Sequence, residues 1–209
     1  MGGRGSEFSR SKGEQRGLKF SNGTGKPSKQ LFPAYINKAN GTGSLETITN
    51  SFSEKHSGSG IEYAIAVDEN GYAQKYYKGN RGSVSFNQTE LEGRHLVHNH
   101  PRGGWGNFSG TDLETAALSN STGVTAVSRN ILAPPGSGAQ TIKAYEKRRA
   151  GVYQWKKTQH FKKNEFVSAI HNVKVNDSNY DKDLDKWLRS NQRKFGYKYS
   201  FTPARNKPE

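Results

Sequence analysis

The chain has 209 residues, a formal net charge of +14, 24 glycines and only 31% hydrophobic residues. This length allows one domain with extensions or two small domains, and the polar composition argues against one core that spans the whole chain. The absence of cysteine excludes disulfides and thiolate metal sites and is typical of a reducing compartment such as the cytoplasm. No apolar run approaches the roughly 18 residues of a membrane span. Residues 1–6 also lack the apolar core of a secretory signal, so we expect no membrane partner.

The positive charge is concentrated in the two flanks of the chain. Residues 1–42 carry a net charge of +6, residues 43–142 a net charge of −2 and residues 143–209 a net charge of +10. Basic flanks attract polyanions, so nucleic acid and an acidic protein surface are candidate partners. The alternative is that the flanks only keep the protein in solution, and the charge pattern leaves both interpretations open.

The first 42 residues predict a flexible basic arm. Residues 1–30 are rich in Gly, Ser, Lys and Arg and contain few apolar side chains, a composition typical of disorder.

Residues 44–56 predict a helix, because Ser44 can cap it and apolar residues recur at helical spacing.

A central unit over residues 43–145 predicts a mixed α/β (α+β) domain. An Asn-Gly pair at residues 70–71 indicates a hairpin turn, and Ser109 is a candidate N-cap for a helix that begins near Thr111. Strands are predicted at residues 61–67, 72–77, 83–86, 95–100, 124–128 and 141–145.

The C-terminal segment, residues 146–209, has a different composition. Aromatic residues are interleaved with basic ones, and we predict helices over residues 152–171 and 180–195. Acidic residues at the start and basic residues at the end of the second helix suit the helix dipole. We therefore expect a basic, aromatic-rich helical extension after the central domain.

The residues with the clearest chemistry are His98, His100 and Asp112. Two histidines at positions i and i+2 of an extended segment project to the same face, and Pro101 ends that strand because proline lacks the N–H donor. Asp112 follows His100 by twelve residues. Two imidazoles and one carboxylate form a ligand set that suits a catalytic zinc and leaves a fourth position for water.

The pattern His-x-His-Pro, seven residues, Ser-x-x-Asp resembles the JAMM (MPN-type) zinc metalloprotease family, including its JAB-like domains. The resemblance covers roughly residues 45–145 and implies a mixed sheet flanked by helices, a bound Zn²⁺ and hydrolysis of amide or isopeptide bonds in a protein substrate. The alternative is a strand-end histidine pair next to an ordinary helix cap.

The resemblance also implies a general base and an oxyanion donor. A glutamate at the start of a strand beside the motif strand serves as the base in this family, and Glu62 matches that position. A charged residue at the start of an apolar strand calls for a functional explanation. This favours Glu62 as the base over Glu46 and Glu54, which lie on the preceding helix. Ser109 would hold the oxyanion through its hydroxyl, in addition to capping the helix.

Within the family, the hairpin at residues 68–71 and the compact strands are most similar to domains of bacterial mobile elements and of phage head-associated proteins. This similarity implies phage particle components as partners and a location in bacterial or host cytoplasm, or in a virion. The alternative function is a virion or head-associated structural or nucleic-acid-binding protein that uses the domain as a scaffold. In that case the C-terminal aromatics would stack on bases.

Overall fold

A computed structural model describes the backbone of residues 6–7, 17–20, 26–27, 45–69, 71, 73–86, 88–101, 106–129, 150–176 and 179–204. The helices are α1 (Leu45–His56), α2 (Gly110–Leu118), α3 (Lys163–Ile170) and α4 (Tyr180–Phe195), with a 3₁₀ turn at Gln88–Leu91. The strands are β1 (Ser6–Glu7), β2 (Gly17–Phe20), β3 (Lys26–Pro27), β4 (Tyr63–Val67), β5 (Ala73–Lys78), β6 (Ser83–Phe86), β7 (His95–Asn99), β8 (Gly123–Ser128), β9 (Gly151–Lys157), β10 (Lys174–Val175) and β11 (Tyr197–Pro203). None of these four helices is long and apolar enough to cross a membrane.

One mixed sheet organises the described residues. Its strand order is β11-β9-β8-β7-β4-β5-β3, in which β7 and β8 are parallel and the other neighbours are antiparallel. Helix α2 lies between the parallel strands β7 and β8 in the chain, as a parallel connection requires. This arrangement confirms the predicted mixed α/β fold with helices flanking a sheet.

The two faces of the sheet bury different sets of residues. Because side chains alternate along a strand, each central strand contributes to both faces. One face packs under α1 and forms an aliphatic and aromatic cluster of Ile48, Phe52, Ile65, Val67, Tyr76, Val97 and Val127. The other face packs against α2, α3 and α4 and includes Ala64, Ala66, Leu96, Val124, Ala126, Tyr153 and Trp155. We call these the α1 face and the α2 face.

The C-terminal segment corrects one prediction and confirms another. The helix predicted over residues 152–171 is wrong in its first half, where residues 151–157 form β9 and only Lys163–Ile170 is helical. The predicted helix over residues 180–195 is confirmed as α4. Strands β9 and β11 belong to the main sheet, so this segment is not the purely helical extension that we expected. The predicted domain boundary at residues 145/146 lies outside the described residues.

Parts of the predicted flexible arm form strands. Gly17–Phe20 pairs in parallel with β6, Lys26–Pro27 pairs with β5, and Ser6–Glu7 pairs with β10. The prediction of a flexible arm therefore does not extend to these three segments, and the rest of the arm lies outside the described residues. The strand predicted at residues 141–145 also lies outside them.

Candidate metal centre

The end of β7 and the first turn of α2 meet at one edge of the sheet. His98 lies on β7, His100 follows that strand, and Asp112 is the third residue of α2. All three side chains are buried, with His98 and Asp112 at 0% and His100 at 7% relative exposure. They form a group whose donor atoms could hold a metal ion. The structure thus brings together the three ligands that the sequence predicted.

The separations of the three donor atoms match a tetrahedral site. Nε2 of His98 lies 3.0 Å from Nε2 of His100 and 3.4 Å from Oδ2 of Asp112, and Nε2 of His100 lies 3.2 Å from the same oxygen. Ligands about 2.0–2.1 Å from a tetrahedral zinc stand roughly 3.3–3.4 Å apart. The observed separations are equal to this value or up to about 0.4 Å shorter, so the three donor atoms are close enough together to share one metal ion.

A capping box at the start of α2 fixes the carboxylate. The backbone N–H of Ser109 donates to Oδ2 of Asp112 at 2.7 Å, and Oγ of Ser109 accepts the backbone N–H of Asp112 at 3.1 Å. Such partners behind a ligand orient it. The helix cap that sequence analysis treated as the alternative to a functional site therefore holds the predicted ligand, Asp112. The Ser109 hydroxyl can still donate while it accepts, since a hydroxyl does both.

The protonation states that metal binding needs are favoured by the surroundings. Burial lowers the pKa of His98, which keeps the ring neutral despite the nearby carboxylate of Asp112. Burial alone would raise the pKa of Asp112, but its interactions with His98 and His100 hold that pKa well below its usual range. A neutral imidazole and an ionised carboxylate are the ligand forms of these groups.

Glu62 lies at the same edge and on the same face of the sheet as the ligands. It precedes β4, and its side chain is only 3% exposed. Ala64, two residues later, pairs with His98 across β4 and β7. Residues at positions i and i+2 of an extended segment share a face, and so do directly paired residues. Glu62 therefore projects to the face that carries His98.

The two rival glutamates are placed differently. Glu46 and Glu54 lie on α1 and are exposed. Helix α1 packs through Ile48 and Phe52 against the α1 face of the sheet, which is opposite to the face that carries His98. Of the three candidates, only Glu62 shares the face of the predicted ligands.

Asn99 is a residue of this region that sequence reasoning missed. It separates the two histidines in the chain and is fully buried, and its Oδ1 accepts the backbone N–H of Tyr63 at 2.7 Å. Its Nδ2 donates to the carbonyl of Ile61 at 3.0 Å. The two bonds bracket Glu62 and tie its backbone to the end of β7. The only sequence signal was an amide between two ligands, which is too weak to predict such a contact.

Other residues singled out by the sequence are structural. His95 faces the α1 side of β7 and is buried, with its Nε2 2.8 Å from Oγ1 of Thr125. Phe108 packs edge-on against Tyr153 and Tyr199 in the core.

Comparisons with protein-family models, with curated proteins and with solved structures found no match for this chain. The resemblance to JAMM proteases therefore stays an expectation from the motif residues.

Proposed function

We propose that the protein is a JAMM-type zinc metallopeptidase that hydrolyses a peptide or isopeptide bond in a protein substrate. The observation that carries the proposal is the convergence of Nε2 of His98, Nε2 of His100 and Oδ2 of Asp112 within 3.0–3.4 Å of one another. The spacing of the motif residues supports the same family, and the phage or mobile-element context is part of the proposal through the hairpin predicted at residues 68–71.

His98, His100 and Asp112 would hold the zinc, which when bound polarises a carbonyl group and lowers the pKa of a water molecule toward ~7. Glu62 acts as the general base: it takes a proton from the attacking water as the new carbon–oxygen bond forms. It then delivers that proton to the leaving nitrogen as the carbon–nitrogen bond breaks, giving a carboxylic acid and an amine. The Ser109 hydroxyl donates to the developing oxyanion.

The experiment compares zinc-loaded wild type with Glu62→Gln on peptide and isopeptide libraries, with zinc content measured in parallel. Glu62→Gln should lower the rate by ~10²–10⁴-fold, the usual contribution of a general base, while zinc stays bound. Glu54→Gln on α1 is the matched control and should behave as wild type. Full activity in Glu62→Gln, or zinc lost from it, would contradict the role given to Glu62.

The alternative function, nucleic-acid binding through the flanks, loses one of its two supports. Six of the C-terminal aromatics expected to stack on bases, Tyr153, Trp155, Phe166, Phe195, Tyr197 and Tyr199, are at most 6% exposed. The basic charge remains, and it predicts binding to DNA that weakens steeply with salt. We therefore place nucleic-acid binding second to hydrolysis.

A further inference from the structure

The segment 106–108 leads directly into Ser109 and is held by α4. It has no regular secondary structure, yet its three residues are buried. Buried backbone groups need hydrogen-bond partners. The carboxylate of Asp181 accepts the N–H of Gly106 at 3.2 Å and the N–H of Asn107 at 2.9 Å. The hydroxyl of Tyr180 donates to the carbonyl of Phe108 at 2.8 Å.

A side-chain network extends this contact to β11. Nδ2 of Asn107 donates to the hydroxyl of Tyr199 at 3.2 Å and to the carbonyl of Asp181 at 3.4 Å. The Tyr199 hydroxyl donates in turn to Oδ1 of Asp185 at 2.8 Å, and Nε of Arg189 donates to Oδ2 of Asp185 at 3.1 Å. The segment is therefore bonded to two elements that are more than 70 residues away in the chain.

The presence of a buried carboxylate at position 181 indicates that Asp181 positions the backbone of segment 106–108. Asp181 is only 4% exposed, and burying a carboxylate costs desolvation free energy that an apolar side chain would not. Two backbone N–H donors and the first turn of α4 offset that cost. In return, two charge-assisted hydrogen bonds fix the direction of the loop backbone more tightly than apolar packing does.

Segment 106–108 directly precedes Ser109, the residue that bonds to the carboxylate of Asp112. Ser109 follows Phe108, and the Ser109 N–H is the group that holds Oδ2 of Asp112 at 2.7 Å. A shift of segment 106–108 therefore moves the donor behind the carboxylate ligand. We propose that Asp181 is a positioning residue for the metal centre, through which α4 sets the place of Asp112, an inference that rests on the proposed function.

The test uses the full chain and the variant Asp181→Asn, which keeps the size of the side chain but replaces one carboxylate oxygen with a donor. Zinc affinity is measured by competition with a chromophoric chelator, and hydrogen exchange of peptides covering residues 106–112 is measured after zinc removal. Asp183→Asn is the matched control, because Asp183 lies in the same first turn and accepts the N–H of Asn176 at 3.2 Å instead.

Asp181→Asn should weaken zinc binding by about 10–100-fold, the usual effect of losing a partner behind a ligand. It should also speed exchange at residues 106–112, whereas Asp183→Asn should change neither. Equal zinc affinity and equal exchange in the two variants would overturn the proposal. If Asp181→Asn does not fold, Tyr180→Phe must show the same two changes at smaller size. If wild type itself binds no zinc, the proposed function fails, and the exchange comparison alone decides the positioning role.

Discussion

The two faces of β7 place buried histidines in different surroundings. His95 and Val97 point to the α1 face, while Leu96 and His98 point to the α2 face. On the first face, burial lowers the pKa of His95 to about 3, and its ring nitrogen meets a hydroxyl, Oγ1 of Thr125. On the second face, the ring of His98 meets another imidazole and a carboxylate. Burial makes a histidine neutral on both faces, but only on the second face do donor atoms converge so that they could hold a metal ion.

The fit of His95 depends on an adjacent glycine. A Cβ at Gly123 would lie 3.0 Å from Cε1 of His95 and 2.2 Å from the carbonyl oxygen of Trp155. No side chain fits at position 123 without a backbone shift. His95 is therefore a packing residue that lies close against the backbone at position 123.

The largest expected effect is a loss of zinc affinity when His98, but not His95, is replaced. His98→Gln should reduce zinc affinity by more than the ~100-fold that loss of an outer partner costs, because it removes a ligand. His95→Gln should leave zinc affinity unchanged, because its side chain faces the other side of the sheet. Both affinities are measured by chelator competition on the full chain. Equal losses in the two variants would mean that the faces do not divide as described.

Local sequence pattern predicted the elements of the α2 face better than their contacts. Residues 61–67, the His98–His100 pair and the helix over residues 180–195 were predictable because each is a short-range pattern of alternation, spacing or capping. Residues 151–156 also alternate between buried and half-buried, as a strand does, but we interpreted the segment from residue 152 as helix. Pairing with β8 and β11 decided their state, and that pairing is non-local.

The residues that hold the candidate site in place were not predictable either, because their contacts are also non-local. Asp181 was explained by the helix dipole, because nothing in the local sequence indicates its bonds to residues 106 and 107. The role of Asn99 likewise depends on the register between β4 and β7.

A smaller effect tests the link between Asn99 and Glu62. Asn99→Leu removes the partners of the Tyr63 N–H and the Ile61 carbonyl, which should cost about 1–3 kcal/mol of unfolding free energy for each group. Asn172→Leu is the control, since its amide donates to a carbonyl on the surface. Urea unfolding of the metal-free proteins measures both. A cost for Asn99→Leu no greater than that of the control would remove Asn99 as a support of the site.

A last expected effect is a change in the pH dependence of stability on the α1 face. Burial lowers the pKa of His95 to about 3 and that of His56 to about 4, against 6.5 for an unperturbed histidine. Below pH 6.5 the unfolded chain binds protons that the native protein does not. As the pH is lowered, the unfolding free energy should therefore decrease by about 1.4 kcal/mol per pH unit for each histidine, down to about pH 4.

Replacing both residues, as His56→Phe with His95→Gln, should reduce this slope by their two contributions. The measurement is urea unfolding of zinc-free protein between pH 7 and pH 5, with the two single variants showing half the change each. An unchanged slope in the double variant would show that these rings are protonated equally in the native and unfolded states.

Metal content of the purified full chain, wild type beside Asp112→Ala, decides whether the α2 face holds a metal centre. Both proteins are supplied with zinc, desalted and analysed by mass spectrometry under native conditions and by elemental analysis. We predict close to one zinc per wild-type chain and none in Asp112→Ala. A wild-type chain that retains no zinc, or an Asp112→Ala variant that retains as much as wild type, would contradict the assignment of His98, His100 and Asp112 as the metal site.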